Sequence, residues 1–363
     1  MIFLGLPELN WTLKKSVSTV VSRTASGILA LIVRDSKAGG VYTIYRESDI
    51  PSSLGVANTS YVKRAMIGYL SAPSLIYLSV IGAADDIASG FRALAQYSYD
   101  YIAGPPEITP EDAAALGTLV KSARKLRYIG KVVLPDVDGD NEGVINFSAS
   151  GIKSGSATFT GAQYASRIAG VLAGTPITGS ATEAPLPEVT DVDAVENPGA
   201  AIDAGKLILL NDGRQVKVSR AVTSKHTMAA ADPDLLKKIK CVAAIDLIRY
   251  YAMVLIEDTY RGKVTNNYDN KCILITALQD FLRGLEGTVL ETGSASCALS
   301  AAKTREYLLG LATAAGNSTE ANRIKRLTDT EIVKEPTDSH VFIGMSGRIV
   351  DAMEDFDVSL ETV

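Results

Sequence analysis

Two apolar runs constrain this chain more than any other feature of it. Residues 28–33 read Ile-Leu-Ala-Leu-Ile-Val, and residues 75–81 read Leu-Ile-Tyr-Leu-Ser-Val-Ile. Neither run alternates with polar residues, as a half-solvated strand would. Such strands are covered on both faces, which is the environment of a parallel sheet between helix layers. The intervening segments supply the helices. One helix is expected over 58–70 with Asn58 as its N-cap, and another over 85–97 with Asp85 as its cap. A strand over 99–103 follows. Thr109-Pro110-Glu111-Asp112 then opens a helix to about residue 126: a capping threonine, proline at the first helical position, and acids at the positive dipole end. A short strand at 131–134 completes the series. Strand-helix alternation predicts parallel pairing with right-handed crossovers.

Beyond residue 140 the pattern changes. Residues 143–152 alternate, and residues 161–172 read as a helix carrying Tyr164, Ile168 and Leu172. Residues 175–204 hold six acids (Glu183, Glu188, Asp191, Asp193, Glu196, Asp203) and no Lys or Arg, so an exposed loop or linker is expected. A hairpin over 207–218 turns at Asn211-Asp212-Gly213. Asp232-Pro233 opens a long helix with an apolar ladder of Ile245, Ile248, Ala252 and Leu255; Asp246, Arg249 and Glu257 lie elsewhere around it. The next helix carries Ile273, Ala277, Phe281 and Leu285 in one row, with Leu274, Leu278 and Leu282 beside it, and stops at Gly287. Residues 304–315 form a further helix candidate and 321–327 a basic helical turn. Strands are expected at 341–343 and 355–361. The fold class is therefore α/β, and α+β overall. A central α/β domain (23–233) precedes a C-terminal α+β domain (234–350), flanked by arms at 1–22 and 351–363.

A search for chemistry finds little. The two histidines, His226 and His340, have no nucleophile-elbow motif to serve and read as turn residues. The turn Gly82-Ala-Ala-Asp85-Asp86 has one glycine where a dinucleotide fingerprint needs three, and two carboxylates where a phosphate would sit. Asp136, Asp138, Asp140 and Glu142 crowd into seven residues, which is not the spacing of a calcium-binding loop, and read as an acidic turn. Cys241, Cys272 and Cys297 form no CxxC pair, which argues against a zinc site or a disulfide framework. No catalytic, cofactor or metal residue is assigned. A net charge of −5, with Trp11 and fifteen tyrosines in no basic-aromatic stripe, gives nucleic acid nothing to bind. The apolar stretch 241–256 is broken by Asp246 and Arg249 and reads as a buried helix, not a membrane span. The first residues lack the basic and apolar regions of a signal peptide. Assembly in a cytoplasm is expected.

The two ends stand out. Residues 11–22 alternate, with Trp11, Leu13, Val17, Thr19 and Val21 on one side. Residues 355–361 alternate strictly, with Phe356, Val358 and Leu360 against Asp355, Asp357, Ser359 and Glu361. Lys14, Lys15, Arg23 and Arg34 against Glu8 give the first 34 residues a net +3, while Asp351, Glu354, Asp355, Asp357 and Glu361 give the last thirteen −5. Complementary strands of this kind pair either at home or with a neighbour's sheet edge. Head-to-tail pairing between copies would give a filament.

The segment 203–224, Asp-Ala-Gly-Lys-Leu-Ile-Leu-Leu-Asn-Asp-Gly-Arg-Gln-Val-Lys-Val-Ser-Arg-Ala-Val-Thr-Ser, resembles the hairpin region of contractile tail-sheath proteins. So do Arg167-Ile-Ala-Gly-Val-Leu-Ala-Gly-Thr-Pro and Ser180-Ala-Thr before it. Tyr260-Arg-Gly-Lys-Val-Thr-Asn-Asn-Tyr-Asp-Asn-Lys, and the ending from Val341-Phe-Ile-Gly to Asp351-Ala-Met-Glu-Asp, are similar to the sheath C-terminal domain. These matches span roughly the last 200 residues, and the first half lacks the large insertions of long phage sheaths. The resemblance implies a structural subunit, not an enzyme. It would polymerise helically around an inner tail tube, meet a baseplate and a tail terminator, and contract to drive the tube through a bacterial envelope. It would be found in the tail of a phage or R-type bacteriocin particle assembled in the host cytoplasm, with no nucleic-acid or membrane contact of its own. The terminal segments map to arms exchanged between subunits, and Arg323, Lys325 and Arg326 to a breakable electrostatic contact with the tube. The alternative reading, resting on the first half alone, is a nucleotide- or metabolite-binding α/β enzyme.

Overall fold

A computed structural model describes residues 27–126, 130–230 and 232–359. The chain packs as two units. The first comprises the described residues up to Asp246 together with those from Asp351 onward, and the second runs from Leu247 to Val350.

The first unit is built on a sheet of β1 (Ile28–Arg34), β2 (Gly40–Ile44), β3 (Leu75–Ile81), β4 (Tyr101–Ala103), β5 (Lys131–Pro135), β6 (Val144–Phe147) and β9 (Lys206–Leu207), in the order β2-β3-β1-β4-β5-β6-β9. All pair in parallel except β2, which runs antiparallel to β3 at one edge. β1 and β3 match the two apolar runs, and the reason they are apolar throughout is visible. Leu29, Leu31 and Val33 face the core under α1 (Val56–Met66) and α4 (Gly161–Ala173). Ala30 and Ile32 face the opposite core under α2 (Ile87–Ala93) and α3 (Pro110–Leu126). α3 and α4 start at Pro110 and Gly161 as expected, with Thr109 and Thr160 hydroxyls accepting first-turn amides.

Other expectations need correction. α1 is preceded by Gly55, and Asn58 is buried inside the helix, donating its amide to Arg34 O and Asp35 Oδ2. Asp86, not Asp85, caps α2, while the Asp85 carboxylate accepts the Gly82 amide. The alternating stretch after Gly143 divides into β6 and a separate ribbon of β7 (Ile152–Ser154) with β8 (Ala157–Phe159). β2 had no counterpart in the sequence reading. Leu207 pairs with Phe147 in the main sheet, so the hairpin proper is β10 (Leu209–Asn211) with β11 (Val216–Val218).

The acid-rich stretch 175–204 is not a linker. Ala181, Ala184, Leu186, Val189 and Val192 are buried in the α1–α4 core, and α5 (Pro198–Asp203) closes the stretch. Two of its acids are engaged by residues of the preceding elements. Glu188 holds the buried Arg167 at 2.6 Å and accepts Tyr164 Oη, and Asp191 pairs with Lys153.

Asp232-Pro233 leads into a 3-10 turn at Asp234–Lys237 before α6 (Ile239–Leu255) begins. Asp246 on α6 is buried in the first unit. Arg124 forks onto both its oxygens at 2.9 Å, and Lys131 Nζ reaches it at 3.0 Å.

The second unit contains the remainder of α6, α7 (Tyr268–Arg283), α8 (Ala301–Ala314), α9 (Ser318–Arg326), α10 (Asp329–Ile332) and a two-stranded ladder of β12 (Ser296–Leu299) with β13 (Ile343–Ser346). On α7 the buried row is Leu274, Leu278 and Leu282, while Ile273 of the other row is exposed. The expected strand at 341–343 forms later, at 343–346. Among the described residues no helix is long and apolar enough to cross a membrane.

Candidate assembly interface

The C-terminal segment is tied to the first unit by its acids. Lys238 Nζ lies 2.6 Å from Asp351 Oδ2 and 3.0 Å from Glu354 Oε2. The other Glu354 oxygen accepts the Ser180 hydroxyl at 2.9 Å and the Thr182 hydroxyl at 2.7 Å. Arg220 pairs with Asp355. Burial by itself would raise the Glu354 pKa, but the Thr182 and Ser180 hydroxyls and Lys238 outweigh it and hold the carboxyl below its usual range. Burial would likewise lower Lys238, and its two carboxylates reverse the sign. The clamp is therefore a charged one. Ser180 and Thr182 come from the stretch first read as a linker, so their role was invisible without the fold.

Past the clamp the chain leaves the surface. Phe356 is 73% and Val358 83% exposed, and residues 351–359 pair with no strand among the described residues. The alternating face predicted here is thus bare within its own chain. Leu360 and the N-terminal residues Trp11, Leu13, Val17, Thr19 and Val21 lie outside the described residues.

A sheet of this order would hold a small ligand at the carboxyl ends of β1 and β4, where the strand order reverses. Near the ends of β1 and β4 several side chains are engaged with one another. Arg34 pairs with Asp112 at 2.9 Å and donates to Asp85 O. Asp35 accepts the Gly55 amide and Asn58 Nδ2, and the Tyr61 hydroxyl donates to Gly104 O at 2.7 Å. The acidic turn after β5 is also internally engaged. Asp136 accepts Ser148, Asp140 accepts the His226 and Thr227 amides, and Glu142 faces Arg124 at 3.4 Å. Burial opposes ionisation of Asp140, but those amides and Lys225 bring its pKa down to about 2. Among the described residues no group of His, Cys, Asp and Glu is arranged to hold a metal ion.

In the second unit, the residues of the 260–271 motif hold turns together. Asn266 Nδ2 donates to Asp338 O and His340 O, Asn267 caps α7, and Lys271 Nζ reaches Thr337 Oγ1 at 3.0 Å. The β12–β13 ladder has two strands only. On α9, Arg323 is committed to Glu320 and Glu335, whereas Lys325 and Arg326 are exposed.

No protein-family model matches the chain. The tail sheath protein of Clostridium phage phiCD119 is 28% identical over 365 residues, covering 98% of this chain and 99% of that protein. The fold is also that of solved sheath structures. The sheath tail protein of Listeria innocua superposes with a TM-score of 0.64 at 12% identity, covering 90% of this chain and 96% of its own. The helical sheath of the anti-feeding prophage in its contracted state gives 0.65 at 15% identity, over 99% and 100%. Over nearly its whole length, then, this chain is similar in sequence to a phage tail sheath protein and shares the fold of contractile tail sheaths.

Proposed function

We propose that the chain is the repeating subunit of a helical sheath that surrounds an inner tube, and that exchanged arms link the subunits. The observation that carries this reading is the C-terminal segment. It is fixed by a charged clamp at residues 351–355 and then projects with Phe356 and Val358 bare. A segment anchored at its base and exposed at its tip suits donation to a neighbour's sheet edge. The β12–β13 ladder is a natural acceptor at its β13 edge, because two strands alone are marginal, while Gln279 already takes the Cys297 amide and the Ala295 carbonyl on the β12 side. Residues 11–21 would be the second donated strand, with Trp11, Leu13, Val17, Thr19 and Val21 facing the acceptor, and Leu360 would extend the C-terminal one. Lys325 and Arg326, with Arg323 held by its acids, would make a weak tube contact that breaks on contraction. Subunits would move as near-rigid bodies between two packings, with the arms keeping the mesh connected. Baseplate and terminator proteins would bound the stack, which would assemble in the host cytoplasm. We assign no catalytic role, in keeping with the likeness to a tail sheath protein.

The test is negative-stain microscopy of the full chain beside a deletion of residues 355–363. The full chain is expected to form tubes or rings and the deletion to lose ordered polymer. Identical small particles from both would refute the arm reading.

A further inference from the structure

Backbone hydrogen bonding along the C-terminal chain stops at Val350, whose amide donates to Val289 O at 2.9 Å. From Asp351 onward the contacts change in kind. Among the described residues, no backbone–backbone hydrogen bond joins 351–359 to the rest of the chain, and the large apolar side chains Met353, Phe356 and Val358 are exposed. Side-chain charge holds the segment: Lys238 on Asp351 and Glu354, Arg220 on Asp355, and the Ser180 and Thr182 hydroxyls on Glu354. Most of these pairs lie at the surface, where an ion pair is individually weak and is screened by salt. The receiving side is built otherwise. Ala181, Ala221 and Ile239, beside the clamp residues in sequence, are buried in the apolar core, so the clamp does not depend on the segment for its place. Asp351 also lies against Cys241, which is 2% exposed and whose Sγ is 3.8 Å from Asp351 Oδ1. Burial, with the Asp351 charge beside it, pushes the thiol pKa up to about 12, so a covered Cys241 is a poor nucleophile.

We propose that residues 351–359 are a latch that opens and closes on a folded body, and that its closed state sets the direction in which Phe356 and Val358 are presented to a second copy. The asymmetry of the contacts is the reason. Opening breaks ion pairs and two hydroxyl bonds but leaves the sheet, both helix layers and every backbone ladder in place. It is therefore a local event, far less costly than unfolding. The freed charges, Lys238 and Arg220 on one side and Asp351, Glu354 and Asp355 on the other, regain water, which keeps the two states close in free energy. Closing orders the base of the arm before a neighbour arrives, and that lowers the ordering cost of association. The presenting role rests on the sheath reading; the latch itself does not.

Thiol labelling reads the latch without any assembly. The full chain, kept dilute, is treated with a thiol reagent, and peptide mapping by mass spectrometry follows Cys241 beside Cys297, which is buried in the second unit. Raising sodium chloride from about 0.05 to 0.5 M should speed Cys241 modification about tenfold and leave Cys297 unchanged. Glu354→Gln and Lys238→Met should reproduce the faster labelling at low salt, with melting temperatures within about 2 °C of the natural chain. Cys241 labelling that is indifferent to salt and to both substitutions overturns the latch. Cys241 and Cys297 rising together marks a general loosening and overturns it as well. At constant salt, Glu354→Gln should then assemble about threefold more slowly than the natural chain in light scattering, reaching the same polymer. Equal assembly rates despite faster labelling overturn the presenting role. If the natural chain forms no polymer while Cys241 responds as expected, the sheath reading fails and the latch stands.

Discussion

At the scale of single residues, Asp246 is the most consequential side chain in the first unit. It lies on a helix whose neighbours are apolar, and it meets Arg124 and Lys131 with all three side chains buried. Removing one partner of such a group leaves uncompensated charge. Asp246→Asn is expected to destabilise the protein by about 3–5 kcal/mol in urea unfolding. Replacing all three with Met, Met and Leu should recover most of that loss. The pH dependence follows from the same contacts. Burial would raise the Asp246 pKa, but Arg124 and Lys131 outweigh it and depress the folded value. Its contribution is therefore fully present above the unfolded carboxylate range, about pH 4, and is lost as pH falls through the lower folded value. Urea melts between about pH 2 and pH 6 should show a shallower acid slope in Asp246→Asn than in the natural chain. Asp246 was read from sequence as a residue outside the apolar ladder, because its partners stand 115 and 122 positions away.

At the scale of elements, α1 and α4 approach so closely that a Cβ on Gly170 would lie 2.1 Å from Ala65 O. The obstacle is backbone and cannot rotate away. Gly170→Ala should cost about 1–3 kcal/mol, measured as a lowered urea midpoint with an unchanged slope. The C-terminal segment obeys different physics, since it is held by charge and not by packing. Glu354→Gln should leave the cores intact while residues 351–359 become cleaved faster in limited proteolysis. The natural chain should approach the variant in acid. Glu354 has a depressed folded pKa, so its hold is present above the usual carboxylate range and is lost as pH falls below it. Equal cleavage rates at neutral pH would show that the segment is anchored by something other than Glu354.

At the scale of the whole molecule, function depends on what the chain does with copies of itself. In the proposed assembly the basic N-terminal region of one copy meets the acidic C-terminal segment of another, and exposed charges are screened over about 8–10 Å at 0.1–0.15 M salt. Assembly followed by light scattering should slow as sodium chloride is raised, more in rate than in final extent, because steering acts on encounter. Salt-independent kinetics would remove charge complementarity from the assembly account.

What the sequence determined by itself was the α/β frame. β1, β3, α3 and α4 were legible because burial on both faces and helix capping are local constraints, written in consecutive residues. The family resemblance was carried by motifs whose residues cap helices and hold turns. Tertiary structure decided the rest. The stretch 175–204 looked solvated because its acids are visible in sequence, while Arg167, Lys153 and the core that swallow them are not. Ser180 and Thr182 became part of a clamp only when Glu354, more than 170 positions later, was brought to them. Periodicity records which face of an element is covered; which charges meet beneath that cover depends on distant chain segments, and no local pattern encodes them.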